Sequence, residues 1–438
     1  MRDDLCRVDN SALPLSQQLF NPFGGTNMMS HLSRGVGPAT VIAIAVIAAA
    51  VRADEHGKAN RYVVTPLTSN LANGAPNQDP VLQNAWGVAF TPGASPFWVA
   101  DNATGCATLY DGTGVPAGGP PPLKVAIPLP EGNPSATSCM PVPPPNSNPP
   151  PNNAAPTGMV WNPSAAFAVP GTKSATNPNG TAAAFIFDTE DGTISAWAGG
   201  LTPPNQNNAV IAVDNSGSGA VYKGLVVGVN THGVFLFATN FHAGTIDVFG
   251  PPTVPGGTGS DGLFTSATTD GGFTDPDIPP GFAPFGIQNI NGNLFVTYAL
   301  QKQPDKHDDM AGPGNGFVDI FDTDGNLLRR FASRGTLNSP WGVSRASFAF
   351  GRFSGDILVG NFGNGKISAF GSDGDFHGLL RDATTKKPLA IDGLWTITLG
   401  GGRNSNSDTL YFTAGPNGEV DGLFGTITPV PGKGDDDN

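Results

Sequence analysis

The apolar positions of this chain fall into short runs, and the same arrangement of runs recurs six times. Each unit has a glycine-containing first run, a second run, a short polar turn and a third run that ends near an aromatic residue. In the first unit these runs cover residues 86–90, 97–102 and 107–110. Runs of this length, rich in β-branched and aromatic residues, predict β-strands. A unit that repeats along the chain predicts one small sheet per repeat.

A glycine leads each of the six units. These glycines are Gly87, Gly158, Gly224, Gly286, Gly342 and Gly393. Six sheets packed radially form a β-propeller, which leaves only short, protected strand edges. Each first strand should be innermost, where glycine lets neighbouring backbones approach closely. We therefore predict an all-β six-bladed propeller, in preference to a β-sandwich or two separate domains.

The sequence also indicates how the ring closes. The last unit has three strand-like runs, and one further run, residues 61–69, precedes the first unit. This N-terminal strand is expected to complete the last blade. Pro66 lies within it, which fits an edge strand because proline has no amide hydrogen to donate to a neighbour.

Composition supports this architecture. The 438 residues include 60 Gly and 42 Pro, the two poorest helix formers, so the chain cannot be mostly helical. A hydrophobic content of 39% excludes a disordered chain. The formal net charge of −13 gives an acidic surface that repels phosphate backbones, so nucleic acid is not an expected partner.

The N-terminal region predicts export. Residues 41–51 form an apolar run that is too short to span a bilayer, and a small residue, Ala53, follows it. This pattern indicates a signal peptide cleaved after Ala53, with Met28 or Met29 as an alternative start. A retained N-terminal anchor is the alternative interpretation.

Three regions follow from these boundaries. Residues 1–53 are the expected prefix and signal peptide, residues 54–430 the propeller with a Pro-rich insert at 129–156, and residues 431–438 an acidic tail. The mature protein is expected to be periplasmic or secreted, with no integral membrane span and with an unknown extracellular ligand or protein as its partner.

In a propeller, the loops that enter the first strand and the loops that join strands two and three lie on one face. Aromatic and polar residues in these loops are the expected ligand contacts: Trp86, Phe241, Asp309, Asn315, Trp341 and Phe362. Cys106 and Cys139 map to the same face. An oxidising compartment permits a disulfide between them, although the sequence alone leaves them bonded or free.

A candidate metal site combines residues from three blades and a fourth turn. Asn102, Asn240 and Asn361 end the second runs of units one, three and five, and Glu190 lies in the matching turn of unit two. Oxygen ligands that converge on one axis suit Ca²⁺ or another divalent cation. The competing interpretation is that each asparagine bonds its own turn.

The loop at residues 302–315 supplies candidate catalytic groups. His307 beside Asp308 is a candidate general base or metal ligand. A solvated charged loop is the competing interpretation.

Several of these segments resemble a known family. PWGV, GNGFVDIFDTDG, SGDILVGNFGNGKISAFG and IDGLWTITLGGG are similar to an uncharacterised family of bacterial exported propellers whose members often end in a PEP-CTERM sorting signal. The resemblance covers about residues 62–429 and implies the fold and export. No apolar helix follows Pro429, so free secretion or a periplasmic location is favoured over an envelope anchor.

More distantly, the chain is similar to NHL-repeat and gluconolactonase-like six-bladed propellers. The second resemblance implies an axial divalent metal and hydrolysis of lactones, with Glu190, Asn102, Asn240 and Asn361 in comparable axial positions. Three functions follow. The favoured one is a module that binds a glycan, small molecule or protein at the channel mouth; the alternatives are a metal-dependent lactonase or esterase and a structural matrix scaffold.

Overall fold

The computed structural model describes residues 59–130, 132–142, 152–250 and 264–431. The predicted signal peptide at residues 1–53 lies outside the described residues. So does the predicted acidic tail, apart from its first residue, Pro431.

The described residues form six sheets, in which all strand pairs but one short parallel pair are antiparallel. Before the first blade come β1 (Tyr62–Ser69) and β2 (Asn77–Gln78). Blade 1 contains β3 (Ala85–Ala89), β4 (Phe97–Asp101), β5 (Cys106–Tyr110) and β6 (Val125–Ala126). Blade 2 contains β7 (Pro156–Trp161), β8 (Phe185–Thr189), β9 (Thr193–Trp197) and β10 (Val210–Asp214). Blade 3 contains β11 (Tyr222–Asn230), β12 (Gly233–Asn240), β13 (Thr245–Phe249) and β14 (Ser266–Ala267).

The second half of the ring repeats this order. Blade 4 contains β15 (Phe282–Ile290), β16 (Asn293–Leu300), β17 (Phe317–Phe321) and β18 (Leu327–Ser333). Blade 5 contains β19 (Pro340–Arg345), β20 (Ile357–Asn361), β21 (Ile367–Phe370) and β22 (Phe376–Leu379). Blade 6 contains β23 (Leu394–Leu399), β24 (Leu410–Ala414) and β25 (Leu423–Pro429), with a short turn, α1 (Pro416–Glu419), before β25. Three 3₁₀ turns occur at Asn102–Thr104, Ser216–Ser218 and Gly351–Phe353.

The first strands of successive blades contact one another around a closed ring that includes β23 against β3. The predicted all-β six-bladed propeller is confirmed. Apolar cores fill the spaces between blades; Trp98 of blade 1, for example, stacks on Phe185 of blade 2 with ring centroids 4.2 Å apart. Among the described residues, no helix is long and apolar enough to cross a membrane.

The N-terminal strand closes the ring as predicted. β1 pairs antiparallel with β25, with Val64 opposite Ile427, so the last blade reads β1-β25-β24-β23. The pairing is irregular between Pro66 and Thr68, which is where a residue without an amide hydrogen is tolerated.

Glycine is required where the first strands meet. A Cβ on Gly87 would lie 2.3 Å from the carbonyl oxygen of Thr157, and one on Gly286 would lie 2.2 Å from that of Trp341. No real Cβ atom tolerates such contacts, so these positions exclude every side chain.

The sixth unit departs from the predicted pattern. Gly393 precedes β23, and the strand register makes Thr396 the equivalent of the other leading glycines. The hydroxyl of Thr396 donates a hydrogen bond of 2.7 Å to the carbonyl oxygen of Trp86. The alignment of Gly393 with Gly87 was therefore wrong. At this position blade 6 contacts blade 1 through the side-chain hydroxyl of Thr396, whereas the other blades have a glycine there.

Candidate functional site

A cluster of aromatic rings crosses the channel at one end of the first strands. The position just before each inner glycine, or before Thr396, carries Trp86, Thr157, Lys223, Phe285, Trp341 and Trp395. We call the six rings at this end the aromatic floor: Trp86, Phe241, Phe285, Trp341, Phe362 and Trp395.

Stacking holds the aromatic floor together. Trp395 lies between Trp86 and Phe362, with ring centroids 3.5 Å and 3.8 Å away. Trp341 meets Trp395 edge to face at 6.0 Å. Next to the floor, the inner strands leave a cavity of about 30 Å³, which has room for about one water molecule. The aromatic floor therefore lies between the loops of this end and a narrow channel lined by the inner strands.

Lys223 is the charged member of this ring. Its side chain is only 3% exposed and pairs with the carboxylate of Glu190. Its ammonium nitrogen lies 5.3 Å from the ring centre of Trp86 and 6.0 Å from that of Phe241. The indole of Trp341 donates to the Lys223 carbonyl oxygen at 2.8 Å, which fixes the backbone from across the channel.

A chain of hydrogen bonds links two carboxylates above the floor. Asn84 donates to the Oε1 of Glu419 at 3.2 Å and to the Oδ1 of Asn102 at 3.1 Å. Asn102 in turn donates to the Oε2 of Glu190 at 3.0 Å. Asn84 Oδ1 accepts a hydrogen bond of 2.9 Å from the Trp395 indole, so the chain is anchored to the aromatic floor.

The strand two–three loop of blade 4 brings further titratable groups to the mouth. The Nδ1 of His307 lies 3.0 Å from Asp308 Oδ1 and 4.0 Å from Glu190 Oε1. One potential ligand atom from each of Glu190, His307 and Asp308 lies within 4.8 Å of the other two. Together with the aromatic floor, Lys223, Asn84, Asn102, Asp309 and Glu419, these groups form what we call the channel mouth.

Burial and neighbouring charges shift the acidities in the mouth. Burial, together with the charge of Glu190, raises the pKa of Glu419 to about 7. Burial also raises the pKa of Asp309, despite the nearby positive charge of Lys223. Burial acts to raise the pKa of Asp308, but the hydrogen bond from His307 and the charge of Lys223 outweigh it, and the net shift is downward. The mouth thus holds both neutral and ionised carboxyl groups near pH 7.

The four predicted metal ligands are only partly brought together. Asn102 contacts Glu190, but through its amide NH₂, which cannot bind a cation. Asn240 accepts the backbone amide of Ala243 at 3.2 Å and donates to Asp247 at 3.0 Å.

Asn361 is held in the same way. It accepts the amide of Asn338 at 2.9 Å and donates to the carbonyl of Lys366 at 3.0 Å. The expected convergence of the asparagine side chains on one axis is therefore not observed. The side chains of Asn240 and Asn361 are instead engaged in hydrogen bonds with neighbouring turns and strands. In blade 1 the equivalent of these two residues is Asp101, which is fully buried, and Asn102 follows one position later.

The predicted ligand contacts differ in their exposure. Trp341 and Phe362 are partly exposed, whereas Trp86 and Phe241 are buried inside the aromatic floor. Asp309 lies in the mouth beside Ser339, with the positive charge of Lys223 nearby. Asn315 has a structural contact: its side chain donates to the Met310 carbonyl at 2.9 Å and closes the blade 4 loop.

The disulfide between Cys106 and Cys139 is confirmed, with Cα atoms 4.9 Å apart. It ties the Pro-rich insert to the start of β5. The backbone amide of Cys139 also donates to the Thr104 carbonyl at 2.9 Å. Part of the insert, residues 143–151, lies outside the described residues.

Sequence reasoning missed three members of the mouth: Lys223, Trp395 and Glu419. The repeat alignment contained a signal for two of them. Lys223 stands where the aligned units have Trp86 and Trp341, and aligning unit six on Thr396 would have added Trp395 to the same column. Glu419 lies in α1, which no other blade contains.

Comparisons with known proteins add relatives but no activity. No protein-family model matches the chain. Two uncharacterised proteins of Acanthamoeba polyphaga mimivirus are 29% and 28% identical over 366 residues, covering 84% of this chain and 80% and 85% of theirs. The expected membership of a bacterial exported family is not supported by these viral relatives.

Among solved structures, the chain is similar to virginiamycin B lyase from Staphylococcus aureus. The TM-score is 0.44 and the identity 14%, over 84% of this chain and 100% of that one. A gluconolactonase from Xanthomonas campestris gives a TM-score of 0.41 and 13% identity, over 80% of this chain and 88% of that one. These structures share the propeller architecture with this chain.

Proposed function

We propose that the protein is a propeller-type binding module that holds a small polar molecule or a glycan at its channel mouth. One observation carries this proposal. The partly exposed rings of Trp341 and Phe362 lie at the same mouth as the carboxylates of Glu190 and Glu419, which the Asn84–Asn102 hydrogen-bond chain holds in place. Aromatic faces beside a few oriented polar groups are typical of ligand sites. Prior fixing of the polar groups lowers the entropy lost on binding.

A panel of mono- and oligosaccharides, followed by intrinsic tryptophan fluorescence, tests this proposal. Phe362→Ala removes a ring from the aromatic floor, and Phe348→Ala is the matched control because Phe348 is 77% exposed and is not one of the floor rings. We expect sugars that bind the native protein to bind Phe362→Ala at least tenfold more weakly and Phe348→Ala unchanged. Equal loss in both variants, or none in Phe362→Ala, would contradict the proposal.

A second candidate function is metal-dependent hydrolysis of small esters or lactones. The close approach of Glu190, His307 and Asp308 favours it. An imidazole and two carboxylates suit Zn²⁺ or Mn²⁺ better than the Ca²⁺ expected from an asparagine-rich set. A bound ion would polarise the substrate carbonyl. Ester and lactone turnover in the presence of Zn²⁺ or Mn²⁺, lost in His307→Ala, would favour this function over simple binding.

We also propose that the protein is exported. Support comes from the Cys106–Cys139 disulfide, because such bonds persist in oxidising compartments. The apolar run at residues 41–51 gives independent support. After expression in a host with a secretory pathway, the secreted chain should begin at Asp54 by mass spectrometry. Retention of the whole chain inside the cell would contradict export.

A further inference from the structure

Lys223 is exceptional among the described residues. It is the only lysine or arginine there that is almost fully buried, and it lies in a ring of positions that are otherwise aromatic or hydroxylated. Burying an ammonium group is costly, and the cost is offset only where an opposite charge and hydrogen bonds are well placed around it. The stability of the buried Lys223 side chain therefore depends on the opposite charges around it.

The partners of Lys223 are the carboxylates of the mouth. Glu190 pairs with it directly, and the faces of Trp86 and Phe241 add cation–π contacts. Glu190, Asp309 and Glu419 come from blades 2, 4 and 6, so they approach the channel from three alternate directions. The electrostatic influence of Lys223 reaches Asp309 and Glu419 as well as its direct partner.

Within the described ranges, the other cationic side chains near the mouth are less well placed to do this. Lys302 is 59% exposed, and its ammonium approaches Asp308 only to 3.9 Å. His307 lies 4.0 Å from Glu190 and hydrogen-bonds Asp308 instead. Asp309 lies beside Ser339, and the positive charge of Lys223 also acts on its carboxylate. Lys223 is therefore the cation that pairs with Glu190 and also acts on Asp309 and Glu419.

We propose that the Lys223 ammonium is the resident cation of the channel mouth and occupies the place that a metal ion would otherwise take. Two consequences follow. The native mouth binds divalent cations poorly, because Glu190 is already neutralised and an added ion would face a fixed positive charge. Removing the charge of Lys223 leaves Glu190 unpaired beside His307 and Asp308, and the ligand atoms of these three residues lie within 4.8 Å of one another and suit a divalent ion.

The test uses CaCl₂ and MnCl₂ alone as probes, with the full chain dialysed against EDTA. Calorimetry gives the affinity and elemental analysis gives the bound equivalents. Lys223→Met keeps the apolar stem over Trp86 without the charge, and Lys223→Arg keeps the charge. We expect no stoichiometric binding to the native protein or Lys223→Arg. Lys223→Met should take up one equivalent with at least a tenfold gain in affinity.

A double variant locates the new site. Lys223→Met combined with Glu190→Gln should lose the acquired binding. The single Lys223→Met variant should also unfold at a lower temperature than the native protein, and Ca²⁺ or Mn²⁺ should restore part of that loss. The double variant should unfold closer to the native temperature without any ion, since it no longer buries an unpaired carboxylate.

Two results would overturn the proposal. One is a stoichiometric divalent ion on the native protein that Glu190→Gln removes, because the resident cation would then be a metal and the hydrolase function would gain support. The other is failure of folded Lys223→Met and Lys223→Gln to bind either ion more tightly than the native protein. Failure of both variants to fold with or without the ions would also count against it. A failed sugar screen would leave the proposal intact, because it does not depend on the ligand.

Discussion

Glu419 shows how the mouth controls a single carboxyl group. It lies in α1 with a left-handed φ of 69°, and burial and the charge of Glu190 raise its pKa from 4.5 to about 7. The positive charge of Lys223 and the hydrogen bond from Asn84 act in the opposite direction. At pH 7 a substantial fraction of Glu419 is therefore protonated and able to donate a hydrogen bond.

This shift predicts a pH-dependent stability. Between about pH 4.5 and 7 the folded state binds more protons at Glu419 than the unfolded state does, so the free energy of unfolding falls as pH rises. The stabilisation that comes from protonated Glu419 is fully present below the unfolded pKa of 4.5. It is lost as the pH rises through the folded pKa of about 7. Glu419→Gln keeps the oxygen that accepts from Asn84 and removes the titration. We expect the native protein to lose about 2–3 kcal/mol relative to Glu419→Gln between pH 5 and 8.

Urea unfolding at pH 5, 6, 7 and 8 measures this difference. Burial also raises the pKa of Asp188 and of Asp319 to about 7, but both groups are present in the two proteins and their effects cancel. Parallel stability curves for the native protein and the variant would show that Glu419 titrates normally.

The limits of sequence reasoning are clearest at single residues. Glu190, His307, Trp341 and Phe362 could be placed at the mouth because repeat position decides which face a loop occupies. The direction of the Asn240 amide could not be predicted, because its partners, the Ala243 amide and Asp247, are brought to it only by the folded turn and strand pairing. Lys223 was missed because a lysine in an isolated sequence most often lies at the surface.

At the level of elements, the inner glycines set how closely blades pack. A Cβ on Gly286 would lie 2.2 Å from the backbone oxygen of Trp341, which cannot move without displacing β19. Gly286→Ala should therefore lower the free energy of unfolding by at least about 2 kcal/mol.

Gly217 provides the matched control for this substitution. It is exposed in a 3₁₀ turn, no atom lies within 4 Å of its hypothetical Cβ, and its φ is not left-handed. Gly217→Ala should change stability by less than about 0.5 kcal/mol. Both variants can be compared by urea unfolding. Equal stability of the two would show that the blades can separate to admit a methyl group.

A strand could be predicted from the sequence where its own residues form a recognisable apolar run. Three strands per blade could be read from apolar runs, since strands buried on both faces are continuously apolar. The outer strands β6 and β14 have only two residues each and are defined by pairing with a neighbour, so no local pattern marks them. The mistaken role of Gly393 has a related cause: the pairing register decides which residue of a unit lies where the first strands meet, and the order of residues along the chain does not give that register.

For the whole molecule, stability depends on closing the ring between distant parts of the chain. β1 supplies the outer strand of blade 6, and its Tyr62 is fully buried against Phe350 and Phe353 of blade 5. The Tyr62 hydroxyl also donates to the Phe350 carbonyl at 3.0 Å. One short strand thus completes one blade and fastens it to the preceding blade.

A chain that begins at Asn70 lacks β1 and tests this dependence. Without β1, the edge of β25 and the apolar core around Leu358 and Phe412 lose their cover. We expect this chain to lose its cooperative unfolding transition, whereas a chain that begins at Ala59 should keep it. Circular dichroism during urea titration distinguishes the two results.

A peptide of residues 59–69 makes the test specific for strand addition. Added to the chain that begins at Asn70, it should restore the transition by pairing with β25, because an exposed strand edge accepts an added strand. The same peptide with Tyr62→Asp should not restore it, since a carboxylate would have to enter the space between blades 5 and 6. If the shortened chain unfolds at the native urea concentration without any peptide, the ring does not depend on its N-terminal strand, and the packing of the first strands alone must hold it closed.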